Sequence, residues 1–277
     1  MKHLLWLVVV IFVCVAPLAA QDEAVTEKTV VRSYLDTVYS QMDLNGAKQM
    51  LAVDFVMHDT VWGSTDTNGY VTNFRLFYDE VSDLQYTPYT LISEGPLVAA
   101  AYLWEGQTRA GHPVSGNGME FFRVVDGKIA EIWRKVEQHD FTIQDSAEDY
   151  RLELAEPELT DVAEMADNQS VVLRWIDAYS YGRLDTALMA TTFTLHTCPC
   201  KSVGTIDQAA FKQIFAHMKE SGAFAEWPQL LEKAGFLMAS EGNLTAIHYQ
   251  SITEGSIPEG MAIFRLQDGR VAEVWTF

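Results

Sequence analysis

His58 and Asp59 stand side by side in FVMHDTVWGS, residues 55–64. An imidazole beside a carboxylate is a pairing that acid/base chemistry uses, and it is also a common polar step where a strand leaves a core. Strand parity separates the two. Phe55 and Met57 alternate with Asp54, Val56 and His58, so Asp59 shares the inward face with Phe55 and Met57, and His58 points away. Of the pair, Asp59 is the candidate base. A second acid, Glu120, lies between apolar neighbours in MEFFRVVDGKIAEIWRK (119–135), where a buried carboxylate is costly without a purpose or a partner. In that stretch VVDGK suits a three-residue loop with Gly127 left-handed, pairing Val124 with Lys128 and Glu120 with Ile132. Glu120, Phe122, Ala130 and Ile132 then line one face, Arg134 follows on the same side, and Trp133 lies on the other. A guanidinium within reach of Glu120 or Asp59 favours their ionised forms. Two readings stay open: an acid/base site, or a structural ion pair.

The elements that position these residues come from a duplication. MEFFRVVDGKIAEIW (119–133) is answered by MAIFRLQDGRVAEVW (261–275), VVRSYLD (30–36) by VVLRWID (171–177), and SEGPLVAAAY (93–102) by SEGNLTAIHY (240–249). The anchors keep their order and nearly their spacing. The domains are then residues 24–140 and 168–277, joined by an acidic linker, 141–167, with Pro157 near its middle. In the first, Val30, Val31, Tyr34, Leu35 and Val38 follow the three-and-four spacing of a buried helix face. A short helix near 47–52 and a third around 70–80 come next, and then the period drops to two over 86–93, 97–108, 119–125 and 128–137. Helices first and strands after predict an α+β domain, its N-terminal helices packed on a curved antiparallel sheet.

The order of a helix-borne VVxxY, an FVxH strand end and a closing FRVxDGKIxEIW hairpin resembles the nuclear transport factor 2-like superfamily, in its SnoaL-like polyketide cyclase and ketosteroid isomerase branch. The resemblance covers both repeats and implies two tandem cone-shaped α+β rolls. It places Tyr34 at the helix-borne tyrosine of the ketosteroid isomerases, Asp59 at their proton-shuttling aspartate and Glu120 at their hydrogen-bond-donating acid. What this implies is proton transfer next to a carbonyl, with Tyr34 and a protonated Glu120 stabilising the enolate oxygen. Phe55, Met57, Phe122, Ile132 and Arg134 would line the first-domain pocket around a small apolar molecule. Arg134 and Lys135 depart from the acidic residue that such cyclases tend to carry after the hairpin tryptophan. An ionised Glu120 cannot donate the second hydrogen bond. The alternative is a non-catalytic ligand- or protein-binding module with the duplicate as scaffold.

At the places of Tyr34, Asp59, Glu120 and Arg134 the second repeat has Trp175, Thr197, Ala262 and Thr276, none able to act as a carboxylate base, so it reads as degenerate. His58 persists as His196, which fits a structural role. Trp133 and Trp275 recur on the outward face of the sheet. Dimerisation through that face is frequent in the superfamily, which implies that the two halves pack as an intramolecular pseudo-dimer.

Composition bounds the rest. MKHLLWLVVVIFVCVAPLAA, residues 1–20, has the layout of a signal peptide, predicting an exported protein, periplasmic or extracellular, with no membrane association after its removal. The net charge of −19 disfavours nucleic acid and anionic membrane surfaces. His196, Cys198 and Cys200 are spaced as metal ligands on one strand face, but Pro199 interrupts the strand and no fourth ligand is evident. A strained Cys198–Cys200 bridge and two idle thiols are the other readings. No metal and no cofactor is expected, since no Gly-rich phosphate loop occurs.

Overall fold

The structure is a computed structural model describing residues 26–59, 63–136, 154, 157–158, 162–183, 185–197, 204–222, 234–251 and 260–277. The signal segment, Cys198, Cys200 and most of the acidic linker lie outside the described residues.

Thr26 caps the first helix, α1 (Glu27–Leu35), by accepting from the Thr29 amide, and the helix buries Val30, Val31, Tyr34 and Leu35. A π-helical stretch, Asp36–Ser40, continues it and buries Val38 and Tyr39. The i+5 repeat of that wider turn swings Tyr39 towards the face that Tyr34 occupies. Asp43 and Asp66 cap α2 (Leu44–Met50) and α3 (Thr67–Glu80), with β1 (Leu51–Asp59) and β2 (Gly63–Thr65) between them. Then come β3 (Val81–Glu94), β4 (Leu97–Thr108), β5 (Pro113–Val125) and β6 (Lys128–Val136). The sheet runs β2-β1-β6-β5-β4-β3.

Two details differ from the sequence expectation. First, β1 pairs with β6 in parallel, so the sheet is mixed. The long excursion through α3 and β3 to β5 is the crossover that a parallel pair needs. Second, the β5–β6 turn holds two residues, not three: Asp126 and Gly127 both take positive φ, 51° and 71°, and Val125 pairs with Lys128. A bulge at Ala130 adds one more step, so Glu120 sits opposite Arg134 instead of Ile132. The two one-residue errors sum to two, which leaves Glu120, Phe122, Ile132 and Arg134 on their predicted face, while before the bulge Ile129 takes the inward place expected of Ala130.

The second repeat follows the same plan. It has α4 (Val162–Ser180), β7 (Met189–Thr197), β8 (Gly204–Asp207), α5 (Gln208–Glu220), β9 (Ala234–Glu241), β10 (Leu244–Ser251), β11 (Gly260–Gln267) and β12 (Arg270–Thr276). Helix α4 begins inside the stretch read as linker. Sheet order is β8-β7-β12-β11-β10-β9, again with one parallel pair, β7 with β12. Among the described residues no helix is long and apolar enough to cross a membrane.

Each sheet uses both faces. One covers its own helices; the other meets the sister sheet, where Ile92, Ala99, Met119 and Phe121 form one buried cluster with Ala246, Ile263 and Trp275. At the rim the Ser93 amide donates to Glu241 and the Ser240 amide to Glu94, each at 2.9 Å. Ser93-Glu94 and Ser240-Glu241 are the same positions of the repeat, so the contact is reciprocal, as in a twofold interface. An Ile263→Asp substitution would bury an unpaired carboxylate there. We expect a lower urea midpoint and an enlarged radius of gyration in small-angle scattering.

Candidate functional site

Three neighbouring strands carry the charged residues. Asp59, at the end of β1, is in register with Arg134 on β6, and Arg134 is in register with Glu120 on β5, so acid, base and acid lie in a row across the inner face of the sheet. Arg134 donates from Nη1 to Asp59 Oδ2 at 3.0 Å and from Nε to Glu120 Oε1 at 3.1 Å. Its guanidinium also lies 5.0 Å from the centre of the Phe74 ring. Tyr102 donates to Glu120 Oε1 at 2.5 Å. The Tyr39 hydroxyl lies 3.1 Å from that oxygen and 2.8 Å from the Tyr102 hydroxyl, and accepts from Arg134 Nη2 at 3.3 Å. The row is shut off from solvent, with Asp59 7%, Glu120 1% and Arg134 5% exposed.

Burial pushes the Glu120 carboxyl above its ordinary pKa, while Arg134 first, then the Tyr102 and Tyr39 hydroxyls, pull it back. Burial alone would lower the Arg134 pKa; the oxygens of Tyr39, Asp59, Tyr102 and Glu120 outweigh it and raise that pKa, keeping the guanidinium charged. Asp59 and Glu120 therefore each face a cation that is already bonded to them. A base in that position gives up a strong contact before it can take a proton.

Strand parity and the hairpin pattern thus bring Asp59, Glu120 and Arg134 together. Tyr34 stands apart: its hydroxyl donates to Tyr70 at 3.0 Å, its ring packs edge-on against Phe122, and burial raises its pKa. Phe55, Met57, Phe122 and Ile132, expected around a ligand, lie in the packed core with at most 2% exposure. His58 faces outward, stacked on Trp133 and within hydrogen-bonding distance of Ser64 and Glu131; His196 stacks on Trp275 in the same way. Tyr39 and Tyr102 were not foreseen as members of the network. For Tyr102 a signal existed, because the repeat keeps a tyrosine there as Tyr249. Among the described residues no group of three or more His, Cys, Asp or Glu is placed to hold a metal.

The second domain shows the same interior without the ions. Trp175, Ser180, Ala262 and Thr276 stand where the first has Tyr34, Tyr39, Glu120 and Arg134; register confirms Ala262 opposite Thr276, and Thr276 opposite Thr197. Glutamate to alanine, arginine to threonine and tyrosine to serine each remove volume. Where the network sits in the first domain, the second has a cavity of about 170 Å³. Trp175, Ser180, Tyr249, Ala262, Phe264 and Thr276 are among its walls. The repeat that lost the acid/base residues has room inside.

An ion row that fills its own chamber predicts a large stability cost when its centre is removed. Arg134→Met leaves Asp59 and Glu120 buried without their cation and is expected to destabilise the protein by about 3–5 kcal/mol in urea unfolding. Glu120 gives a test in pH. A carboxyl held up by burial binds its proton more tightly folded than unfolded, so its contribution favours the folded chain at low pH and is lost as pH rises through the folded pKa. The stability of the natural chain relative to Glu120→Gln should therefore fall as pH rises above the ordinary carboxylate range, and level off once the folded carboxyl has ionised.

Residues 31–132 match the family model of the SnoaL-like domain. Solved structures with similarity to the chain include AclR from Streptomyces galilaeus, at 20% identity and a TM-score of 0.38, covering 40% of this chain and 88% of that one. IdmH from Streptomyces antibioticus is likewise 20% identical, with a TM-score of 0.37 over 40% of this chain and 92% of its own. An NTF2-like protein from Burkholderia pseudomallei is 14% identical, with a TM-score of 0.37 over 40% of this chain and 90% of its own. No curated protein matches the chain.

Proposed function

Taking residues 31–132 as a SnoaL-like domain and the second repeat as its structural copy, we propose that the protein is an exported, non-catalytic binder of a small apolar molecule, held in the second domain. The observation that carries this reading is the cavity at the place of the lost ions. Its walls are aromatic and aliphatic, relieved by the hydroxyls of Ser180, Tyr179, Tyr249 and Thr276. A pocket of that make-up gains from displacing water by apolar surface and uses its few polar groups for orientation. Its volume is comparable to the ~150 Å³ at which an apolar cavity accepts benzene. The first domain then serves as scaffold: its chamber is closed by Arg134 and its partners, and its outer face carries the sister sheet. Export rests on the composition of residues 1–20.

A second reading keeps the first domain as an enzyme in which Asp59 transfers a proton next to a carbonyl. It is favoured by two carboxylates converging in one chamber and by the upward pKa of Glu120. It requires Arg134 to leave both carboxylates and a substrate to displace packed side chains.

Calorimetric titration with toluene separates the two. Binding at one site with a Kd on the order of 0.1 mM is expected, within the range of the best small ligands per atom. Ala262→Phe, which fills the cavity, should abolish it, and Asp59→Asn should leave it unchanged. Loss of binding in Asp59→Asn with retention in Ala262→Phe would move the site to the first domain.

A further inference from the structure

Tyr102 and Tyr249 occupy the same place in the repeat, and each is paired across the sheet with a glycine, Gly118 and Gly260. A side chain on either glycine would run into the tyrosine ring, so the ring lies flat across the neighbouring strand. In the first domain this arrangement aims the Tyr102 hydroxyl at Glu120. In the second the acceptor has gone, replaced by the methyl of Ala262. Among the described residues the Tyr249 hydroxyl makes no side-chain hydrogen bond, and Tyr249 borders the cavity. Burial raises its pKa, which keeps its proton in place for donation. A half-buried donor that faces the cavity offers its hydrogen bond to an oxygen bound there.

Two further observations narrow the ligand. None of the described residues lining the cavity is charged, so among them a carboxylate or ammonium would find no counter-ion. One wall is a layer of nearly parallel rings: Trp175 and Tyr179 stack at 5.3 Å with 6° between their planes, and Phe211 lies within 25° of both. Parallel rings of that kind offer offset stacking to a planar guest aligned with them.

Resting on the binding reading above, we propose that the second-domain cavity takes a small neutral aromatic molecule carrying a carbonyl-type oxygen, which accepts from Tyr249 at the place held by the Glu120 carboxylate in the first domain. The ring stacks on the layer of Trp175, Tyr179 and Phe211, and the oxygen points to β11. The ligand thus completes, from outside, the hydrogen bond that Glu120 completes from within.

Acetophenone, ethylbenzene and benzoate, titrated at neutral pH into the full chain and into Tyr249→Phe, test this. The variant keeps the ring and removes only the hydroxyl. Acetophenone should bind Tyr249→Phe about 5- to 30-fold more weakly than the natural chain, the loss of one hydrogen bond to a buried donor. Ethylbenzene should be unchanged within about twofold, and benzoate should bind at least about 30-fold more weakly than acetophenone. If acetophenone binds both proteins equally, or benzoate binds as well as acetophenone, the neutral-acceptor proposal is overturned while ethylbenzene binding leaves the apolar cavity standing. If none of the three binds the natural chain, or if binding survives Ala262→Phe, the cavity reading itself fails.

Discussion

A guanidinium withdrawn from water needs oxygens from the protein in place of those it loses, in directions set by its planar fork. That requirement organises the first domain. Arg134 reaches one carboxylate on each neighbouring strand, and the parallel docking of β1 beside β6 is what sets Asp59 level with it. The π-helical stretch after α1 delivers Tyr39 to the same spot, and β4 supplies Tyr102. Helix, hairpin and crossover therefore converge on one cation, and the phenyl ring of Phe74 closes it from the side of α3.

The second domain keeps the framework after the requirement has gone. Its parallel pair is intact, with Thr197 level with Thr276, so the geometry does not depend on the ions. Without a buried charge, nothing obliges the interior to fill with polar partners, and apolar walls can stand open over a volume that water occupies poorly. The same fold thus supports a packed polar centre and a greasy hollow, and four or five side chains decide which.

Much of this was legible in the sequence. The duplication, the α+β order and the inward faces of Asp59, Glu120 and Arg134 follow from repeats and parity, which survive small errors of register. The β5–β6 hairpin shows why: the turn and the bulge each moved the pairing by one residue, so beyond the bulge Ile132 and Arg134 kept their face and only Ala130 lost its inward place, to Ile129. Tyr39 was hidden because helical spacing assumes 3.6 residues per turn and the chain widens after Leu35. The parallel strand pair was hidden because pattern gives strands but not neighbours. The substitutions to Trp175, Ser180, Ala262 and Thr276 could be read directly, but a cavity is a difference between volumes, and no single residue announces it.

The reciprocal contact of Ser93 with Glu241 and Ser240 with Glu94 gives the joined sheets the form of a twofold dimer made from one chain. In a dimer of identical subunits every substitution is made twice, so neither interior can change without the other, and a cavity opened in one would loosen both. Two copies encoded in tandem escape that coupling. One half is free to become dense, while the other gives up packing for space, and the shared interface joins the packed half to the hollow one.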